Sequence, residues 1–352
     1  MIMKKKISFV ITSLVRGGAE TVTVRLATRY FKQGHDVEII MLLNNTIEFD
    51  LPEGIKVIDF SGKTNSRIRR ISYWLKSLKK HFKERKPDVV VSFIARINNL
   101  TLMSVKGKNT KVIISERNDP RHDSRNKMTW FFINHLYKKA DCIVFQTEEC
   151  KALFKKNIQE KGIVIPNPVN IKGIVDEKKY DKNLVLYAGR FSEQKNVETI
   201  INAAEIVSEQ YPSIKFELYG DGPLKDNLKK LVEDKHLSNN VFISDNIPNI
   251  QDKMHDARLF VMSSLYEGMS NSLLEASYSG LPCLTTPVLG SSVIKEDQNG
   301  YFYDFKDHQK LAELIIQLMD DEKYASLRYK SIEIAKTIKH EDTFAKWDEL
   351  IK

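Results

Sequence analysis

The stretch Leu184-Val185-Leu186-Tyr187-Ala188-Gly189-Arg190-Phe191 decides the architecture. A short apolar run closes on a glycine turn, the way a buried strand ends before a helix. It follows Pro166, Pro168, Gly173 and a charged tract reaching Lys182, a composition that reads as a linker. A strand therefore starts afresh in mid-chain. Downstream, strand patterns at 215–219, 241–244, 259–263 and 282–286 alternate with helical patterns at 197–209, 224–235, 272–279 and 308–319. Upstream, β-rich runs at 7–12, 36–43, 88–94, 111–115, 141–145 and 163–165 are mostly separated by helical patterns. The first of those helical patterns runs over 19–33 and is closed by Gly34. Strand–helix alternation implies parallel sheets with helices on both faces. The expected fold is α/β: two doubly wound domains facing each other across a cleft, 1–165 and 183–338, joined by a linker at 166–182.

The length of 352 residues suits two domains of about 150 residues. Hydrophobic residues make up 42% and charged residues 29%, the balance of a globular chain and not of a disordered one. Cys142, Cys150 and Cys283 are too few and too scattered for a disulfide framework or a zinc site, and read as core thiols in a reducing compartment. No run approaches the roughly 18 apolar residues of a membrane-spanning helix. Lys4-Lys5-Lys6 ahead of residues 7–15 imitates a leader, but Thr12, Ser13 and the lack of a small-residue cleavage site favour a first strand. The expectation is a soluble, cytoplasmic protein.

The net charge of +9 is unevenly placed. Residues 1–165 hold 32 Lys/Arg against 16 Asp/Glu, whereas residues 166–352 hold 23 against 30. Ten basic residues lie between Lys63 and Lys86, with Glu84 as their one acidic neighbour. Ile68, Ile71, Leu75, Leu78 and Phe82 recur there at steps of three and four, with Trp74 beside them, and form one apolar helix face. Three readings are open. The helix covers the sheet and turns its cations to water, or it docks on an anionic membrane, or it binds nucleic acid. No nucleic-acid motif accompanies it, and nucleic acid is not expected as a partner.

In doubly wound sheets ligands bind beyond the carboxyl ends of the strands, so the residues just after strands carry the chemistry. Gly17-Gly18 sits between the first strand and first helix, where it is either a tight turn or a close approach to phosphate. The chain lacks the spacing of both the G-x-G-x-x-G and the P-loop fingerprints. Arg190 and Lys195, after the strand at 184–188, are two cations fit to hold a diphosphate and to neutralise charge as it leaves. Gly220-Asp221-Gly222-Pro223 reads as a structural turn. The richest segment is Glu267-Gly268-Met269-Ser270-Asn271-Ser272, running into a helix that carries Glu275. Amides at a helix start favour anions, and carboxylates accept hydrogen bonds from sugar or ribose hydroxyls. Glu116-Arg117-Asn118 follows a strand of the first domain and is placed to touch a sugar or an acceptor. No D-x-D occurs, so the carboxylate clamp for a metal-bound diphosphate is missing and no metal is expected.

Together these motifs resemble family 4 of the retaining glycosyltransferases (glycosyl transferases group 1), which have the two-Rossmann GT-B architecture. The resemblance runs over nearly the whole chain. It implies a nucleotide-sugar donor, commonly a UDP-sugar, with no cofactor and no metal. It implies that Gly17 and Gly18 meet the diphosphate and that Arg190 and Lys195 neutralise it. Glu267 would contact hydroxyls of the transferred sugar, with the amides of Gly268 to Ser272 nearby. Glu275 would hold the ribose, and Asn246-Ile247 would lie near the base. The helix within 339–352 would return to the first domain. The implied reaction moves a hexose or N-acetylhexosamine to a polysaccharide or lipid-linked oligosaccharide, at the cytoplasmic membrane face. Two departures stand out. Many relatives place a histidine where this chain has Glu116-Arg117-Asn118, and many place a glutamate after the glycine of Gly290-Ser291-Ser292-Val293.

Two other classes share such an architecture. A non-catalytic partner subunit would have lost its phosphate contacts, yet Arg190, Lys195, Glu267 and Glu275 are all present. A nucleotide-sugar epimerase would need a catalytic histidine in the candidate segments, and they contain none.

Overall fold

The structure, a computed structural model, describes residues 3–62, 66–105, 107, 109–122, 125–176, 178–338 and 341–352. Lys63, one end of the basic segment, lies outside them. The chain divides into two compact units: Met1–Pro168 with Glu341–Lys352, and Val169–His340.

The first unit runs β1 (Lys6–Ile11), α1 (Gly18–Lys32), β2 (Asp36–Met41), β3 (Lys56–Asp59), α2 (Arg67–Arg85), β4 (Val89–Phe93) and α3 (Ala95–Ser104). It continues with β5 (Lys111–Ser115), α4 (Lys127–Leu136), β6 (Cys142–Phe145), α5 (Glu148–Ala152), α6 (Lys156–Gln159) and β7 (Gly162–Val164). Its seven strands are parallel, in the order β3-β2-β1-β4-β5-β6-β7. The order reverses between β1 and β4, the switch point at which such sheets open a crevice. Val89–Phe93 is buried along its whole length, which is why a mostly apolar run, broken only by Ser92 and not alternating, marks this strand. On one side of the sheet, Val22, Leu26 and Tyr30 of α1 pack on Ile7, Phe9 and Val91. On the other, Trp74, Leu78 and Phe82 of α2 pack with Ile97 and Leu100 of α3 on Val10, Ile40 and Val90.

The second unit runs β8 (Leu184–Ala188), α7 (Glu198–Gln210), β9 (Lys215–Tyr219), α8 (Lys225–Asp234), β10 (Val241–Ser244), α9 (Ile250–Asp256) and β11 (Leu259–Met262). It ends with α10 (Asn271–Tyr278), β12 (Cys283–Thr285), β13 (Gly300–Phe302), α11 (His308–Gln317) and α12 (Asp321–Thr337). Its parallel sheet has the order β10-β9-β8-β11-β12-β13, with the switch between β8 and β11. The last helix, α13 (Glu341–Ile351), belongs to the first unit, where Phe344, Trp347 and Ile351 join the core on the α1 side. The three cysteines are buried and none is in a disulfide.

Three details depart from the sequence reading. Ile68 does not join the apolar face of α2 but stands 81% exposed, because it lies in the helix's first turn, well before the buried residues that begin at Trp74. The edge strands β3 and β13 carry too few buried residues to show as strands in the sequence. Among the described residues of 166–182 there is no helix or strand, yet this linker is anchored. Val175 is buried and bonds the Ser279 carbonyl through its amide at 2.8 Å, and the buried Arg328 donates to the Asp176 carbonyl through Nη2 at 2.6 Å.

One buried carboxylate fixes α2 on the sheet. Glu38, in β2, accepts from Ser8 Oγ at 2.6 Å and pairs with His81 Nε2 at 2.8 Å and Arg85 Nε at 3.3 Å. Burial by itself would raise its pKa. The hydrogen bonds from His81 and Ser8, with the charges of His81 and Arg85, outweigh burial and hold it below the usual glutamate range. A depressed carboxylate adds stability above its unfolded pKa, and this is lost as the pH falls below about 4. Glu38→Ala removes the buried acceptor of Ser8 Oγ and the partner of His81 while Arg85 keeps its pair with Asp36, so urea denaturation at neutral pH is expected to show a loss of about 2 kcal/mol. That loss should shrink in acid, where the wild type has already surrendered the same interaction.

Candidate active site

In the second unit the sequence-selected residues gather at the carboxyl ends of β8 and β11, the two strands that flank the switch. After β8, Gly189 to Phe191 leads into a 3-10 turn at Glu193–Lys195. Two glycine turns lock together here. Gly222 has φ +148°, and a Cβ on it would lie 2.4 Å from the Phe191 carbonyl oxygen. The Phe191 amide donates to the Asp221 carbonyl at 2.9 Å. Asn196 takes the left-handed conformation, φ 49°, and anchors its side chain on the Phe305 carbonyl at 2.8 Å. This ends the turn and aims Lys195.

Lys195 Nζ lies 2.5 Å from Glu267 Oε1, with both side chains largely removed from water. Ser264 Oγ donates to the same oxygen at 2.9 Å. The second oxygen, Oε2, takes no hydrogen bond from the described residues. The two turns are joined by further bonds. The Leu265 amide donates to the Gln194 carbonyl at 2.8 Å, Gln194 Nε2 to the Tyr266 carbonyl at 2.8 Å, and Ser263 Oγ to the Lys195 carbonyl at 2.9 Å. From the next strand, Thr286 Oγ1 fixes the Ser264 carbonyl at 2.6 Å. Beneath the site, burial and the Glu267 charge push the Tyr187 phenol well up, so it stays neutral.

Arg190 differs from Lys195. It is exposed, and its guanidinium has no partner among the described residues. Gly268 is buried, Met269 half-buried, and Ser270 caps α10 by accepting from the Leu273 amide at 3.4 Å. Asn271 and Ser272 are half-buried in the first helical turn, and Glu275 is buried one turn on. Gly290, with φ +75°, explains a region whose role was open. A Cβ there would lie 2.6 Å from the Gly268 carbonyl oxygen and 2.7 Å from Met269 Cα, so this glycine lets a neighbouring turn press against the one that follows Glu267. Asn246 is exposed and Ile247 half-buried beyond the edge strand β10, two strands from β8.

In the first unit, Gly17 and Gly18 follow β1 at that sheet's own switch. Gly17 is the extended N-cap of α1, and a Cβ on Gly18 would meet nothing within 4 Å. Across the switch, Ile94 holds φ 73°, a strained value for a β-branched residue and one that no sequence pattern announced. Glu116 is not offered to a ligand. It is fully buried, paired with Arg125 and bonded by the Tyr137 hydroxyl, which burial and the Glu116 charge keep protonated. Arg117 is turned inward as well. Its guanidinium lies 5.1 Å from the Phe93 ring centroid and 5.7 Å from that of Trp347, and Nη1 reaches Asn167 Oδ1 at 2.5 Å. Burial without a carboxylate partner pushes its pKa down to about 9. Asn118 is half-buried and unpartnered among the described residues. Of the three, only Asn118 keeps its side chain uncommitted. Among the described residues no three His, Cys, Asp or Glu side chains gather as a metal set.

The family model Glycosyltransferase Family 4 matches residues 16–172, and Glycosyl transferases group 1 matches residues 170–337. The chain belongs to the family 4 glycosyltransferases. This glycosyltransferase is 27% identical over 363 aligned positions to an uncharacterised glycosyltransferase of Methanocaldococcus jannaschii, covering 84% of this chain and 88% of the relative. It is 26% identical to a Campylobacter jejuni alpha-1,4-N-acetyl-D-galactosaminyltransferase that acts on an undecaprenol-diphosphate-linked glycan, over 94% of this chain and 95% of the relative. Anabaena HepE, solved with UDP and glucose, superposes with a TM-score of 0.81 at 17% identity, over 98% of each chain. The fold class is thus the two-Rossmann GT-B architecture.

The partners of the Lys195–Glu267 pair give a stability test. Lys195→Met leaves a buried carboxylate uncompensated and is expected to cost about 3 kcal/mol in urea denaturation. Adding Glu267→Gln should restore most of that loss, and a double-mutant cycle with no coupling would show that the two charges ignore each other.

Proposed function

We propose that this glycosyltransferase moves a hexose or N-acetylhexosamine from a UDP-sugar to a polysaccharide or lipid-linked oligosaccharide, with retention of configuration and without a metal ion. The observation that carries the reading is the Lys195–Glu267 pair at the β8/β11 switch, with the unpartnered Arg190 on the same turn. The UDP in a structure of the same fold and the lipid-linked acceptor of the Campylobacter relative support the donor and acceptor classes.

The chemistry follows from charge. As the C1–O bond to the diphosphate breaks, negative charge grows on the leaving oxygens. Arg190 supplies a fork of donors that suits a diphosphate, and Lys195 supplies a point charge. Preorganised cations of this kind act most strongly where charge develops in the transition state. Glu267 spends one oxygen orienting Lys195 and keeps Oε2 for the hydroxyls of the sugar. The acceptor oxygen then forms its bond to C1 on the face the diphosphate leaves, and its proton passes to the departing phosphate oxygen. The amides of Gly268 to Ser272 lie next to this chemistry in sequence, and Glu275 offers a carboxylate to the ribose diol.

Glu116 is excluded from the sugar contact by its burial, and Asn118 is the residue of that loop left to make it. A transfer assay over a panel of UDP-sugars tests the reading. Glu267→Gln and Lys195→Met should each lower kcat/KM by roughly a hundredfold or more, in the range seen when one transition-state donor is removed. Activity should survive a chelator, and proton NMR of the first-formed product should show the donor's anomeric configuration. Full turnover in Lys195→Met, or an inverted product, would overturn the mechanism.

A further inference from the structure

The loop after β5 carries carboxylates at Glu116 and Asp119, yet neither neutralises Arg117. Glu116 is paired with Arg125, and Asp119 with Arg121 at 2.7 Å. The Arg117 guanidinium lies instead against the Phe93 and Trp347 rings, and only its Nη1 finds an acceptor, Asn167 Oδ1. Nε and Nη2 are buried and donate to nothing among the described residues. The buried Trp347 Nε1 is in the same condition. Gln146, whose Nε2 shares Asn167 Oδ1 at 2.7 Å, leaves one acceptor over, its Oε1. Donors thus outnumber acceptors around a positive charge, a pattern that suits an anion. Two other arginines of the same unit show what the Nε/Nη2 edge can hold. Arg29 places Nε 3.1 Å from Asp348 Oδ1 and Nη2 2.6 Å from Oδ2. Arg121 places Nε 3.0 Å from Asp119 Oδ1 and Nη2 2.7 Å from Oδ2. In each, one carboxylate spans the edge with both oxygens. In Arg117 that edge is turned into the core, where two unmade bonds and lost hydration are costly and the rings offset only a part.

We propose that Arg117 is a parked recognition residue, whose Nε/Nη2 edge turns outward to grip the carboxylate of an acidic sugar in the acceptor glycan. The side chain is half-buried as a whole, so part of it already meets solvent, and rotation about its side-chain bonds carries the head outward. A carboxylate draws it from the core because only the outward form makes the two missing bonds, and a ligand shifts an equilibrium by its preference for one form. Ligands of doubly wound sheets gather at this carboxyl edge. With the donor diphosphate assigned to Arg190 and Lys195 of the second unit, the acid falls to the acceptor, a choice that rests on the glycosyl-transfer reading above.

Thermal unfolding of the full chain tests it, with methyl glucuronide, its neutral twin methyl glucoside, glucose 6-phosphate and UDP as probes. The wild-type midpoint is expected to rise with the glucuronide and not with the glucoside. Arg117→Met should melt above the wild type without ligand, since it takes an unpaired charge and two unmade bonds out of the core. It should bind the glucuronide about tenfold or more weakly, the loss expected for hydrogen bonds to a charged group. Arg117→Lys keeps the charge without the fork and should lose the glucuronide response as well. Both variants should keep the rise produced by UDP. A midpoint of Arg117→Met at or below that of the wild type would make the arginine a structural strut and overturn the proposal. So would equal responses to glucuronide and glucoside, a glucuronide response that survives in both variants, or a response to glucose 6-phosphate without one to the glucuronide. A wild type stabilised by UDP but not by the glucuronide refutes this proposal and leaves the donor reading standing. Stabilisation by the glucuronide and none by UDP does the reverse.

Discussion

An ammonium and a carboxylate, both drawn largely out of water, hold together two turns that leave adjacent strands of one sheet. Without Glu267, Lys195 would swing to solvent; without Lys195, Glu267 would carry a buried charge it could not keep. Much of the second unit is arranged around this pair. Asn196 and the glycines of the 220–222 turn set the backbone that delivers Lys195, and Ser264, Thr286 and Gly290 set the backbone that delivers Glu267. Arg190 stands outside this lattice of bonds, so the turn after β8 carries one cation fixed by the protein and another whose guanidinium has no partner among the described residues.

The first unit uses its polar residues differently. Glu38 and Glu116 are both buried, and both are consumed by arginines and hydroxyl groups of the same unit. Their work is to place helices and loops over the sheet. Arg117, stacked between Phe93 and Trp347, joins the loop after β5 to the last helix. The polar chemistry at the carboxyl edge of this sheet is therefore mostly architectural.

How much of this could be read from the sequence depends on the range of the interaction. Parallel strands buried on both faces write themselves as mainly apolar, non-alternating runs, and Val89–Phe93 and Leu184–Ala188 were legible for that reason. Edge strands such as Lys56–Asp59 bury little and leave no such mark. Gly-Arg…Lys and Glu-x7-Glu were visible as motifs, but nothing in their spacing says that Lys195 and Glu267, 72 positions apart, meet. Glu116 shows the opposite failure. A polar residue just past a strand has two directions to point, and the inward choice is made by Arg125 and Tyr137, whose positions no local pattern fixes. Ile68 kept the periodicity of an apolar face in a turn where there is no sheet beneath it.

The membership of α13 in the first unit has a consequence for biosynthesis. Phe344, Trp347 and Ile351 complete a core whose other members lie before residue 170. They leave the ribosome only after all of Val169–His340 has been made. At about 5–20 residues per second, that intervening unit takes roughly 10–35 s to synthesise. Throughout that interval the nascent first unit carries an unsealed apolar trough where the tryptophan will later sit, and it can be completed only once the second unit has been made.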